Sequence, residues 1–146
     1  MKFFMPLVCL LLAACAANQS HPSTAVKPSD ALFRELGGMP AITAVVDRLL
    51  AKVDNDLRIN LFFEKTDHAD LRRLVIEQLC EATGGPCKYS GRSMEEAHSG
   101  LRLTDQDFAA FVEDLIAAMN ELKVPKTSQD KLLALLSPMK PQVVGQ

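Results

Sequence analysis

The stretch GGPCKYSGRSMEEAH, residues 84–98, decides the fold. Gly84 and Gly85 end a preceding helix, as C-terminal glycines do, and Pro86 cannot continue it. Met94-Glu95-Glu96-Ala97 then reads as a short helix that delivers an isolated imidazole, His98. Cys80 and Cys87 bracket the glycine turn, so the chain leaves one helix through a stapled loop and arrives at one histidine.

Working outward, every long segment carries a helical period. Upstream, HADLRRLVIEQLCEAT (residues 68–83) presents Leu71, Leu74, Val75, Leu79 and Ala82 on one face. Before it, PAITAVVDRLLAKV (residues 40–53) spaces Ile42, Val45, Val46, Leu49, Leu50 and Val53 by threes and fours, with Pro40 expected at the first helical position. Downstream, TDQDFAAFVEDLIAAMNEL (residues 104–122) has a stripe of Phe108, Phe111, Val112, Leu115, Ile116, Met119 and Leu122, opened by a Thr104–Asp107 capping box. A last helix is expected around SQDKLLALL, ended or kinked by Pro138 and Pro141. No stretch alternates with period two for long enough to be a strand. The fold class is all-α.

The N-terminus belongs to no fold. Lys2 is followed by an apolar run, Phe3 to Ala13, too short to span a bilayer as a stable helix, so it reads as a secretory signal. Leu12-Ala13-Ala14-Cys15 resembles a bacterial lipobox, which makes residues 1–14 a lipoprotein signal peptide and Cys15 the lipidation site. An ordinary signal cut near Ala16 or Ala17 is the alternative. Residues 15–29, rich in Ser, Pro, Ala and Asn, read as a flexible tether, and residues 30–146 as one domain. The implied location is the bacterial cell envelope, lipid-anchored and facing the periplasm or exterior, with the lipid as the sole membrane contact.

With Cys9 lost and Cys15 acylated, Cys80 and Cys87 remain in a compartment where disulfides persist, and a disulfide is the better reading than two buried thiols or a metal pair. The formal charge of −2 becomes 15 − 18 = −3 once Lys2 leaves with the signal. This mild acidity, with no basic run, argues against a nucleic-acid partner. There is no Gly-rich phosphate loop, no His-Glu-x-x-His and no Gly-x-Ser-x-Gly. What remains is His98 between two long helices with wide apolar faces, a slot suited to a flat apolar cofactor that needs one imidazole, of which haem is the obvious example.

At this point the chain resembles a known family. From Leu32 to Val144 it is similar to the group 1 truncated haemoglobins, in LFRELGG with AITAVVDRLL, in LFF before the long helix, in GGPCKYSGRSMEEAH and in LRLTDQDF. The resemblance implies a two-over-two helical sandwich around haem b, with His98 as the proximal iron ligand and diatomic gases (oxygen, carbon monoxide, nitric oxide) as ligands. It implies that Phe63 packs on the haem face, and that Met94, Ala97, Leu103, Phe108 and Phe111 line the proximal side and pocket. An electron-donor protein would be a further partner. Gas binding or transport fits better than catalysis, with nitric oxide chemistry as the enzymatic option.

The distal side departs from the family. Where members place a tyrosine and glutamines, this chain has Leu50, Leu71 and Val75, and Gln78 is the nearest polar side chain. A hydrogen bond to a charged or polarised ligand contributes about 1.5–3 kcal/mol, so its loss weakens oxygen binding by roughly 10- to 150-fold. Arg72 and Arg73 are cations available to haem propionates or, equally, part of a solvated face. Two rival readings stand beside this one: a haem-free helical envelope lipoprotein that acts as a protein-interaction module, and a binder of apolar small molecules. Neither needs His98.

Overall fold

The structure is a computed structural model and describes residues 29–146. The expected signal peptide, nearly all of the expected tether and Cys15 lie outside the described residues. Among the described residues there are six α-helices, two 3-10 turns and no strand.

Helix α1, Ala31–Glu35, is followed by α2, Gly38–Val53. The α2 residues buried in the structure are Ile42, Val45, Val46, Leu49, Leu50 and Val53, the six that the sequence period selects. Pro40 lies third rather than first, because Gly37, left-handed at φ 98°, caps the helix two residues earlier than expected. The position is still tolerated, since the first-turn N–H groups have no intrahelical partner.

A 3-10 turn, Asn60–Phe62, leads to α3, His68–Ala82. Its cap is Asp67, whose carboxylate accepts from the backbone N–H of Ala69 and Asp70 at 2.9 and 3.0 Å. His68 is not the cap; its Nδ1 sits 3.6 Å from Asp54 Oδ1. The short helix α4, Met94–His98, comes next, then α5, Asp105–Glu121, and α6, Lys126–Leu136, which runs into a 3-10 turn, Ser137–Gln142, containing Pro141. The Thr104–Asp107 capping box opens α5 as the sequence implies.

The helices stack as a two-over-two sandwich: α2 packs on both α3 and α5, while α6 packs on α1 and reaches the end of α5 through one side chain. Buried Gln129 of α6 fastens that last corner, donating to Asn120 Oδ1 and the Val124 carbonyl, each at 2.9 Å. The core is aliphatic, with Val46, Leu49, Val53, Ile59, Leu115, Met119 and Leu132 among its fully enclosed members.

Two of the apolar stripes are wider than this core. On α3 the buried residues are Ile76, Leu79 and Cys80, of which only Leu79 belongs to the stripe read from the sequence; Leu71, Leu74, Val75 and Ala82 of that stripe are half-buried. On α5, Ala110, Leu115, Ala118 and Met119 are buried, but Phe108, Phe111, Val112 and Ile116 are not. Helices α3 and α5 therefore each carry two apolar edges, one fully buried in the core and one that packs on it only partly.

Candidate functional site

The 84–98 segment leads from the end of α3 to α4, the short helix that ends in His98. Thr83, Gly84 and Gly85 end α3 in very close quarters. Phe33 of α1 donates its N–H to the Thr83 carbonyl at 3.1 Å. Gly84 has φ 86°, and a Cβ there would lie 2.4 Å from the Ser29 carbonyl oxygen. A Cβ on Gly85 would lie 2.6 Å from the Phe33 ring and 2.7 Å from Cys80 Sγ. The glycine pair thus lets the first helix press against the end of α3, besides stopping that helix. The sulfurs of Cys80 and Cys87 stand at 2.07 Å with Cα atoms 5.7 Å apart, the geometry of a disulfide.

Beyond Cys87 the loop folds over itself. The Tyr89 ring covers Gly91, where a Cβ would meet the phenol oxygen at 2.3 Å, and its hydroxyl donates to the Arg92 carbonyl at 2.9 Å. The Tyr-x-Gly spacing is therefore a ring laid across a residue with no side chain. Partial burial pushes the Tyr89 phenol up from its ordinary pKa.

Helix α4 opens with a second capping box: Ser93 Oγ accepts from the Glu96 N–H, and Glu96 accepts from the Ser93 N–H. At its other end His98 Nδ1 lies 2.7 Å from the carbonyl oxygen of Met94. A carbonyl can only accept, so Nδ1 carries a proton, and in the neutral ring the lone pair is then on Nε2. That is the tautomer of an imidazole that binds a metal through Nε2, held by the hydrogen bond that orients most metal-bound imidazoles.

The remaining sequence-derived site residues share one property. Phe63, Leu71 and Val75 are half-buried, as are Met94, Ala97 and His98 itself. So are Leu103, Phe108 and Phe111. Phe63, Leu71, Val75 and Phe111 pack against the core cluster from outside it. Leu50 differs, at 9% exposure and inside the cluster. Half-buried apolar side chains of this kind, together with one oriented imidazole, suit a flat apolar group that needs one axial nitrogen.

Gln78 is directed toward thioethers: its Nε2 lies 3.2 Å from Met94 Sδ and 3.5 Å from Met139 Sδ. Neither arginine on α3 is free for a propionate. Arg72 pairs with Asp47 of α2, and Arg73 donates to Asp70, Glu77 and Ser90. The segment after His98 is tied to the C-terminal residues, with Arg102 N–H donating to the Gln146 carbonyl and Gly145 N–H to the Leu103 carbonyl, both at 2.9 Å. Lys140 pairs with Asp105 at 2.6 Å and lies 5.8 Å from the Phe108 ring centroid.

Against known proteins, residues 31–144 match the family model for bacterial-like globins. A group 1 truncated haemoglobin from Chlamydomonas moewusii is 33% identical over 135 residues, 91% of this chain and 79% of the relative. The chain belongs to the truncated haemoglobins. The crystal structure of the Fe(III) form of the truncated haemoglobin of Tetrahymena pyriformis superposes with a TM-score of 0.77 at 30% identity, covering 79% of this chain and 98% of that one. A two-over-two haemoglobin from Synechococcus, solved in the cyanomet state with covalently attached haem, gives 0.73 at 30% identity over the same shares.

In this globin several supporting groups escaped sequence reasoning. Ser93 and Glu96 carry the S-x-x-E signature of a capping box and were legible by that rule. Glu77 and Glu81, by contrast, look like ordinary solvated helix residues until the loop they hold is seen.

Proposed function

We propose that this globin binds haem b through His98 and takes up diatomic gases on the opposite face. The observation that carries the reading is the 2.7 Å contact between His98 Nδ1 and the Met94 carbonyl, which leaves Nε2 as the free donor atom. Haem, when bound, supplies an iron with open coordination for oxygen, carbon monoxide or nitric oxide. The chain's own residues do the rest. Met94 fixes the imidazole; Phe63, Phe108 and Phe111 supply apolar wall and exclude water; Leu71 and Val75 offer a ligand no hydrogen-bond donor. A haem-free core would be expected to close over these side chains, and their half-burial speaks against that alternative.

The distal composition favours fast oxygen release and a relative preference for carbon monoxide and nitric oxide. An electron-donor protein would keep the iron ferrous. Haemin titration of the mature chain beside His98→Ala, followed by visible absorption, tests the reading. Saturation near one haem per chain with a five-coordinate ferrous spectrum, lost in the variant, supports it. Weak uptake that His98→Ala leaves unchanged would refute it.

Anchoring at Cys15 to the cell envelope, and a Cys80–Cys87 disulfide formed in that oxidising compartment, belong to the same proposal. Mass spectrometry of the mature N-terminus decides the first. An acylated Cys15 supports it, and an unlipidated N-terminus near Ala16 or Ala17 overturns it.

A further inference from the structure

The loop between α3 and α4 has no regular secondary structure, yet it is held to α3 at successive points. Cys87 meets Cys80 through sulfur. Glu81 Oε2 accepts the Tyr89 N–H at 2.9 Å. Glu77 Oε2 accepts both the Ser90 N–H at 3.0 Å and the Ser90 hydroxyl at 2.7 Å. Arg73 donates to that same hydroxyl at 2.7 Å and to Glu77 Oε1 at 2.8 Å. Cys87 and Tyr89 are held at Cys80 and Glu81, near the end of α3, and Ser90 at Glu77 and Arg73, about one to two helical turns back. The chain therefore doubles back along the outer side of α3 before it crosses to α4.

Only three residues separate Ser90 from Met94, the start of the helix that bears His98. Those residues include Ser93, the α4 cap. The point at which Ser90 is docked thus sets where α4 begins and which way its Met94–His98 hydrogen bond faces. A lever this short transmits a displacement of its base with little loss.

We propose that Glu77 and Glu81 are positioning residues for the proximal histidine: they clip the 87–90 loop onto α3 and so fix the approach of His98 to the cofactor. The clip is built from charge-assisted bonds to backbone and hydroxyl donors, the stronger class of hydrogen bond. The Ser90 hydroxyl, then Arg73, holds the Glu77 carboxyl below its ordinary pKa, so it is charged under all but acid conditions. The inference rests on haem binding at His98.

The test uses the mature chain, apo and haemin-loaded, with Glu77→Ala, the Glu77→Ala/Glu81→Ala double variant, and Lys52→Ala, which breaks an ion pair to Glu121 remote from the loop. Hydrogen exchange of the apo chain should show the Tyr89 and Ser90 amides protected in wild type and open in the double variant. In the ferrous loaded protein, resonance Raman should show the iron–histidine band shifted or broadened, and transfer of haem to an acceptor globin should be about tenfold faster. Glu77→Gln, which keeps a carbonyl acceptor for Ser90, should restore most of the band, and Lys52→Ala should leave it unmoved. Unprotected amides in the wild type would overturn the proposal. So would an unmoved band in a double variant whose amides have opened. Failure of the wild type to take up haemin would instead sink the haem reading on which this one rests.

Discussion

Replacing Leu71 with glutamine should convert the gas preference of this globin. Leu71 and Val75 sit one turn apart on α3, half-buried and packed against the core cluster from outside it. Glutamine is close to leucine in volume and adds one N–H donor where leucine has methyls. A hydrogen bond to a ligand with charge on its outer atom contributes about 1.5–3 kcal/mol. Fixing the glutamine rotamer costs roughly 1 kcal/mol of that. The net of about 0.5–2 kcal/mol corresponds to an oxygen affinity raised roughly 2- to 30-fold. Carbon monoxide carries little such charge and should change by less than about twofold. Stopped-flow measurement of oxygen dissociation, beside carbon monoxide binding after flash photolysis, reads the ratio directly. Equal shifts in the two gases, or none in oxygen, would show that the Leu71 edge does not face the ligand and that the distal reading is wrong.

Cys87→Ser removes a closure of eight residues worth roughly 2.5 kcal/mol on the chain-entropy account, so Tm should fall by about 10 °C. A thiol reductant should lower the wild-type Tm to match and leave the variant alone; a wild type indifferent to reductant would mean that the two sulfurs are not joined. Asp114→Asn should raise Tm at neutral pH. Its Oδ2 is buried without a hydrogen-bond partner, and burial, then the nearby Asp56 carboxylate, pushes its carboxyl above the ordinary range. A carboxyl with a raised folded-state pKa penalises the fold above that pKa and ceases to do so as pH falls through it. Thermal melts of the two proteins should therefore converge toward acid pH, and a constant gap would refute the assignment.

How legible the molecule is in its sequence varies with the physics involved. The buried face of α2 is read completely, though not its start at Gly38, because its six large apolar stripe residues all serve the core and the period reports it. On α3 and α5 the period identifies the helices but not their buried faces: on α3 it passes over Ile76 and Cys80, and on α5 it takes in Phe108 and Phe111, which are half-buried. A residue such as Val75 has the same hydropathy whether it meets protein or cofactor. The Gly84–His98 run was legible through the rigid demands of close packing, since only glycine fits beneath Phe33 and beside Tyr89. The Met94 carbonyl as the partner of His98 follows from helix geometry alone, four residues back. Glu77 and Glu81 were not legible: their acceptors serve a loop whose path depends on side chains eight to thirteen residues away. Gln78 was legible as a polar side chain on an apolar edge but not as a donor to Met94 and Met139, because Met139 arrives from the far end of the chain.

The two-edged helices also bear on stability. A half-buried Phe or Leu forfeits part of the roughly 1.5–3 kcal/mol that full burial contributes. The core edge of α3, through Ile76, Leu79 and Cys80, must therefore hold that helix in place largely by itself before any cofactor arrives. The Cys80–Cys87 contact and the Asp67 cap sit at opposite ends of the helix and need nothing from the crevice. On the haem reading, this division lets the 84–98 segment be laid out in the apo chain, so that haem meets an imidazole whose tautomer is already chosen. Haem would then complete the wall rather than organise the fold, and the stability it adds would scale with the free haem concentration over its dissociation constant.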